Sequence, residues 1–260
     1  MKNRDAGAAA PGGAQTLMRG LDVLQAVASG ATDLAALAAA LGTARSTTHR
    51  LASALVERRY LNFVPREGYS LGPKLLELGF RAQQDLPVVR VARPHLVQLA
   101  EACEDTVHLG ILDGDRALYL DKIPGRRRIE ISSRVGERHP ISTTGLGKAL
   151  ILDMGEARWL EFHDRGERTA EGTDEAARDA WLDRMRAYAR RGIAFDLEEN
   201  EARIRCVAGP IRDATGAIVA AFSVSSAAQY MSDARMDELV DTVRDVADTI
   251  SRAMGWAGRR

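Results

Sequence analysis

The chain is short of the features that mark several large protein classes. Two cysteines, Cys103 and Cys206, are too few for a disulfide framework and point to a reducing compartment. Aromatic residues make up only 5% of the 260 positions, and no apolar run approaches the roughly 18 residues that a membrane span needs. Net charge is zero, with 36 Lys+Arg against 36 Asp+Glu, so the chain as a whole is not a polybasic binder. Catalytic signatures are missing as well. There is no Gly-x-Ser-x-Gly elbow and no His-Glu-x-x-His, and His49, His95, His108, His139 and His163 are dispersed without metal-ligand spacing. Cys103 and His108 could share a metal only if further ligands arrived from elsewhere. These absences predict a cytoplasmic protein that is not an enzyme and has no cofactor, no metal and no membrane partner.

The material that remains, 45% hydrophobic and 28% charged, suits a globular fold, and the length suits two modest domains at roughly 100 to 200 residues each. Residues 1–14 are rich in Ala, Gly and Pro, lack an apolar h-region, and read as a disordered arm rather than a signal peptide. The zero net charge hides an asymmetry. Residues 1–85 carry ten Lys+Arg and seven Asp+Glu, and between Arg45 and Arg66 five arginines (Arg45, Arg50, Arg58, Arg59, Arg66) face a single acid, Glu57. A small basic head on a mildly acidic body is the expected arrangement.

Periodicity gives the head its form. Leu17, Leu21, Leu24 and Val27 share one helical face up to Ser29-Gly30. Thr32 or Asp33 can cap a short helix from Leu34 to Leu41, which Gly42 ends, and a third helix follows from Arg45 to Arg59. Short helix, tight turn and polar-headed helix is the helix-turn-helix pattern. Tyr60 to Val64 and Tyr69 to Leu71, joined by Pro65-Arg66-Glu67-Gly68, read as a hairpin wing. Arg45, Ser46, Thr47, Thr48, His49 and Arg50 then stand at the start of a helix suited to the major groove, where arginine can pair with guanine and hydroxyls with phosphate. A solvated helix face is the plain alternative for such a run. A linking helix carrying Leu75, Leu76 and Leu78, then a helix from Val88 to Ala102, complete the approach to the body.

In the body the period changes to two. Val107, Leu109 and Ile111 alternate with His108, Gly110 and Leu112, Asp113-Gly114 marks a turn, and Ala117 to Ile123 returns. A third strand is expected at Ile129-Glu130-Ile131, and later strands at Ile204 to Ile211 and Ala217 to Val224. Helices are expected over Gly147 to Leu152, Glu156 to Phe162 and from a Thr173 cap to Arg191, with a last helix carrying Met236, Leu239, Val243 and Ile250. Strands flanked by helices make an α+β domain of a sensor-like kind. The Ile141 to Lys148 stretch, with its hydroxyls and glycines, reads as a carboxylate seat or as ordinary Ser/Thr capping, and not as a phosphate loop, because Ser142 and Ala149 break that pattern. Ser223 and Ser225 share one strand face, where a serine pair is more often a hydrogen-bonded core detail, and Cys206 is most simply a small buried hydrophobe.

Several stretches taken in order carry a family resemblance. They are Gln15 to Leu24, Arg45 to Leu51, Tyr69-Ser70-Leu71-Gly72, Leu120-Asp121-Lys122, Ser133 to Gly136, Gly147-Lys148-Ala149-Leu150 and Arg205-Cys206-Val207-Ala208. With them the chain resembles the IclR-type bacterial transcriptional regulators over essentially its whole length after Gln15. The resemblance implies an α+β protein with a winged helix-turn-helix domain (residues 15–72), a linker helix (73–87) and a GAF-like mixed α/β effector-binding domain (88–260). It implies a homodimer or homotetramer on double-stranded operator DNA, acting as a repressor whose grip a small organic acid modulates. DNA contacts are then expected from Arg19, Arg45, Ser46, Thr47, Thr48, His49, Arg50 and Arg66.

Effector contacts carried over from the family fall on Gly145, Leu146, Asp196, Cys206, Ser223 and Ser225, joined by Ser142, Thr143, Thr144, Arg128 and His139 nearby. The sequence departs from the family's common His-x-Thr-Ala run, with Ser142 in place of the histidine and Gly145 in place of the alanine. Hydroxyls at this spot favour a hydroxylated acid, such as a sugar acid or its 2-keto-3-deoxy derivative. An aromatic carboxylate is the alternative effector, and a non-DNA interaction module using the basic head on an acidic partner is the alternative function.

Overall fold

The computed structural model describes residues 12–84, 87–127, 131–166 and 175–258. The chain divides into two compact units, residues 1–85 and 86–260.

The first unit begins with α1 (Gly12–Ala28), which starts inside the stretch expected to be a disordered arm. Helix α2 (Leu34–Leu41) is capped by Asp33, whose carboxylate accepts the Ala35 and Ala36 N–H groups at 2.8 and 2.9 Å. It ends at Gly42 in the left-handed conformation (φ 59°), where a side chain would be strained. Three residues later α3 (Arg45–Glu57) begins. Val23, Val27, Leu37, Leu51, Ala52, Leu61 and Tyr69 close a small core among these helices and the wing. Fully burying one such side chain stabilises by about 1.5 to 3 kcal/mol. The wing is β1 (Leu61–Val64) paired antiparallel with β2 (Gly68–Leu71), and the Tyr69 N–H donates to the Thr32 carbonyl at 2.7 Å, fastening the wing to the cap of α2. Helix α4 (Pro73–Gln84), expected as a separate linker, groups with this unit; its Lys74 N–H donates to the Arg59 carbonyl at 3.1 Å.

The second unit is a six-stranded antiparallel sheet in the order β5-β4-β3-β8-β7-β6. Its strands are β3 (Thr106–Asp113), β4 (Arg116–Ile123), β5 (Arg138–Pro140), β6 (Ala194–Leu197), β7 (Ile204–Arg212) and β8 (Ile218–Ala227). Strands β5 and β6 are short edge elements that alternation did not announce. Of the expected third strand, Ile129 and Glu130 lie outside the described residues, and Ile131 is buried but not in a strand. The Thr173 cap and Arg128 also lie outside them.

Helices α5 (Pro87–Cys103) and α9 (Asp233–Ala253) pack on one face of the sheet, α9 so closely that a Cβ on Gly209 would meet Val243 at 3.0 Å. On the other face sit α6 (Gly145–Leu150), α7 (Glu156–Gly166) and α8 (Glu175–Arg191). Indole N–H groups tie this layer together. Trp159 donates to the Ile151 carbonyl at 2.6 Å and Trp181 to the Ser142 carbonyl at 2.9 Å. No helix among the described residues is long and apolar enough to cross a membrane.

Candidate DNA-reading surface and effector site

On the first unit, Arg45, Ser46, His49 and Arg50 are exposed on α3 and Thr47 is half-buried. The N-cap of α3 is Ala44, which has no side-chain oxygen to offer, while Thr47 and Thr48 donate their N–H groups to its carbonyl at 3.0 Å. An uncapped helix start flanked by arginine presents free donors and a positive dipole end, the physical requirement for holding phosphate. Thr48 is a correction to the expected contact set. Its side chain is 0% exposed, pairs with the Thr43 hydroxyl at 2.8 Å and donates to the Ala44 carbonyl at 3.2 Å, so it locks the turn and cannot reach a duplex. Arg66 stands exposed at the wing tip, and Arg19 is exposed on α1. A groove of about 750 Å³ runs between α3 and the wing, bordered by His49, Ser53, Phe63 and Arg66.

In the second unit, register builds a polar floor. Asp196, Cys206, Ser225 and Thr106 lie opposite one another across β6, β7, β8 and β3. The adjacent row on the same face is Ala194, Ala208, Ser223, His108 and Lys122. The Ser223 and Ser225 hydroxyls are 3.3 Å apart. Over this floor comes α6, and Gly145 approaches so closely that a Cβ there would lie 2.6 Å from Cys206 Sγ.

Each polar group on this face has a physical history. Asp196 accepts the Glu199 and Asn200 N–H groups at 2.8 and 3.4 Å, and burial pushes its carboxyl up to about 6 although Lys148 pulls the other way. Lys148 is fully buried, paired with Glu199 and 5.9 Å from the Tyr188 ring, and Arg184 reaches the same Glu199 at 2.9 Å. This pair clamps α6 to the β6–β7 connection, which carries Glu199 and follows Asp196 closely along the chain. Burial raises the Cys206 thiol to about 12, so it is a neutral thiol, not a nucleophile. His108, 2% exposed, lies 2.7 Å from the Ser133 hydroxyl through Nε2 and 3.4 Å from Ser225 through Nδ1. Burial first and the Lys122 charge second depress its imidazole to about 3, so it is neutral at working pH. Lys122 Nζ donates to the Ile131 and Ser133 carbonyls at 2.6 and 2.8 Å, holding that segment against the floor.

The remaining expected contacts divide. Ser142 is 1% exposed and its hydroxyl has no hydrogen-bond partner among the described residues. Thr144 caps α6, accepting the Gly147 N–H at 3.0 Å while its hydroxyl donates to the Pro140 carbonyl at 2.6 Å. Thr143 donates to the Asn200 side chain at 3.3 Å. The Leu146 side chain belongs to the apolar core, so only its backbone is available for a ligand. His139 stacks on Tyr119, with ring centroids 4.3 Å apart, and Tyr119 in turn lies 5.1 Å from His108. Sequence reasoning missed His108, Tyr119, Lys122, Ser133 and Glu199. Arg127, near the expected site in sequence, is committed elsewhere: it donates to Asp105 at 2.7 Å, a carboxylate that Arg235 also holds at 2.6 Å. No cluster able to hold a metal ion occurs among the described residues.

A helix-turn-helix with a wing, joined in one chain to a sheet domain with a buried polar floor, defines a ligand-responsive DNA-binding regulator. The model of the IclR helix-turn-helix domain matches residues 16–65, and that of the bacterial transcriptional regulator IclR C-terminal domain matches residues 80–252. The chain belongs to the IclR family of bacterial transcriptional regulators. It is 35% identical to the regulator BhcR of Paracoccus denitrificans over 95% of this chain and 90% of that one. It is 31% identical to the regulator XynR of Escherichia coli K12 over 93% of this chain and 98% of that one. Its fold is similar to that of an IclR homologue from Microbacterium hydrocarbonoxydans solved with 4-hydroxybenzoate, at a TM-score of 0.79 and 23% identity, covering 92% of this chain and 98% of that one. These relatives are transcriptional regulators and not enzymes.

Proposed function

We propose that the chain is a repressor that releases or grips its operator in response to a small hydroxylated acid, a sugar acid or 2-keto-3-deoxy sugar acid, held between α6 and the sheet. The observation that carries this reading is the density of buried hydrogen-bonding groups on one sheet face, with the Ser142 hydroxyl left unpaired beside it. A buried polar group without a partner costs about 1 to 3 kcal/mol, so a ligand with several hydroxyls gains where a hydrocarbon ring would lose. The second reading, an aromatic carboxylate, draws support from the ring stack of His108, Tyr119 and His139.

In this reading the winged domain spans residues 15–72 and the effector domain residues 88–260, with the helices between them transmitting the effector's differential affinity for two states, typically about 1 to 3 kcal/mol of coupling. Arg45, Ser46, His49 and Arg50 read or clamp the duplex, while Arg19 and Arg66 meet its backbone. The active form is a homodimer or larger homo-oligomer in the cytoplasm, and two apolar stripes support it. Leu17, Met18 and Leu21 are 65%, 58% and 49% exposed on α1, and Leu76 and Phe80 are 78% and 61% exposed on α4.

Fluorescence anisotropy with the upstream intergenic DNA of the encoding gene against a scrambled duplex, across a salt series, tests the whole reading. Specific binding weakened by a sugar acid is the expected result. A response to an aromatic acid alone would move the assignment to the second reading, and equal, steeply salt-dependent binding to both duplexes would overturn sequence-specific regulation.

A further inference from the structure

A second cavity, of about 460 Å³, opens in the second unit where the end of β7, the end of α8 and the last turns of α9 meet. Arg191, Arg212, Arg244, Arg252, Asp248 and Trp256 line it. Arg212 follows Cys206 by six residues along β7, which puts the cavity roughly 20 Å from that thiol at about 3.3 Å per strand residue. This is not the effector floor seen from another side.

Four guanidinium groups face a single lining carboxylate. Arg212 is the fixed member: its side chain is 10% exposed, Asp153 grips it with two hydrogen bonds, and its guanidinium stands 5.9 Å from the Trp256 ring. Arg191 and Arg244 are tethered from outside by Asp237 at 2.9 Å and Asp241 at 2.5 Å, acids whose side chains are 66% and 85% exposed. Such pairs are screened by water and contribute little, and each guanidinium has five N–H donors, most of them still unused. Arg252 has no ion-pair partner among the described residues. Ala247 and Pro210 supply an apolar base beside the Trp256 ring.

We propose that this cavity binds a small anion carrying a flat ring, the ring packed against Trp256 and its carboxylate or phosphate group held by Arg244 and Arg252 with Arg191 nearby. Arginine forks match both oxyanions in geometry, and a ring against Trp256 and the apolar base replaces water there. The family's C-terminal model matches residues 80–252, so the four arginines lie inside the matched segment and Trp256 lies past it.

Isothermal titration of the full chain at constant ionic strength tests this, with ADP and phthalate as ringed phosphate and ringed carboxylate, and adenosine and sulfate as controls. Saturable binding of ADP or phthalate, absent with adenosine and sulfate, is expected, and whichever binds names the source. Arg244→Ala/Arg252→Ala and Trp256→Leu should each weaken it at least roughly tenfold while leaving the urea midpoint in place, because Arg252 is exposed and Arg244 and Trp256 are half-buried. Sulfate binding as tightly as the ringed anions, no saturation with either, or undiminished binding by the double variant would each overturn the proposal. So would loss of the signal in Ser223→Ala/Ser225→Ala, a pair of changes that removes only hydroxyl groups from the floor beneath α6, because it would put the anion there.

Discussion

Asp196 carries a measurable signature because it is 4% exposed and its carboxyl sits at about 6 against an ordinary 3.8. Burial favours the protonated form, so between those two values the folded chain holds a proton that the unfolded chain has released. The stability that Asp196 contributes is therefore full below pH 3.8 and is lost as pH rises through about 6. A shift of about two units corresponds to about 3 kcal/mol at 1.36 kcal/mol per unit. Asp196→Asn keeps a carbonyl oxygen for the Glu199 and Asn200 N–H groups but never ionises. It should match the parent near pH 4 and be more stable by roughly 2 to 3 kcal/mol near pH 7.5.

Urea unfolding followed by tryptophan fluorescence is a suitable assay, since Trp159, Trp181 and Trp256 all lie in the second unit. His108 works in the opposite sense. Its imidazole is depressed to about 3, so its contribution is present above pH 6.5 and falls away as pH drops, and the parent's profile alone blends the two. The difference between variant and parent separates them. A difference that does not vary with pH, or that grows toward acid, would refute the account of a carboxylate buried against its preference.

Three further outcomes are expected. Arg45→Ala and Arg50→Ala should each cost about 1 to 3 kcal/mol of operator binding if the arginine reads a base, whereas Thr48→Val should lower the stability of the first unit by about 1 kcal/mol with no change in base preference; anisotropy and thermal melts tell these apart. Leu76→Glu/Phe80→Glu should shift the sedimentation profile toward monomer and weaken operator binding in proportion, and an unchanged oligomer would remove α4 from the interface. Gly145→Ala should destabilise the second unit by about 1 to 3 kcal/mol through overpacking against Cys206, read from the same urea curves.

The head was legible because its elements are local. The Asp33 cap, the Gly42 stop and the apolar spacing of α2 reproduce the helix from Leu34 to Leu41 residue for residue. Thr48 was misread because a hydroxyl on a helix start looks alike whether it faces solvent or the preceding turn, and only the Thr43 partner distinguishes them. In the body, strands with hydrophobic alternation were visible, but β5 and β6 are three and four residues long, too short to show alternation, and are defined by their pairing with β4 and β7. His108 was read only as one of the residues alternating with Val107, Leu109 and Ile111 on β3. The first five residues of the strand are buried on both faces, so alternation alone could not tell the face beneath α6 from one open to solvent. Lys148 and Glu199 stand 51 positions apart, and no local pattern announces a buried pair of that kind.

The close approach of Gly145 to Cys206 also bears on how such a pocket diverges over generations. A glycine codon is one base change from an alanine codon. The methyl group missing here lets α6 settle a few tenths of an ångström to an ångström closer to Cys206 than it otherwise could, which sets the spacing between α6 and the polar floor. If an acid binds there as proposed, a single mutation in a residue with no hydrogen-bonding side chain would alter which acids fit before any group that grips the acid has changed.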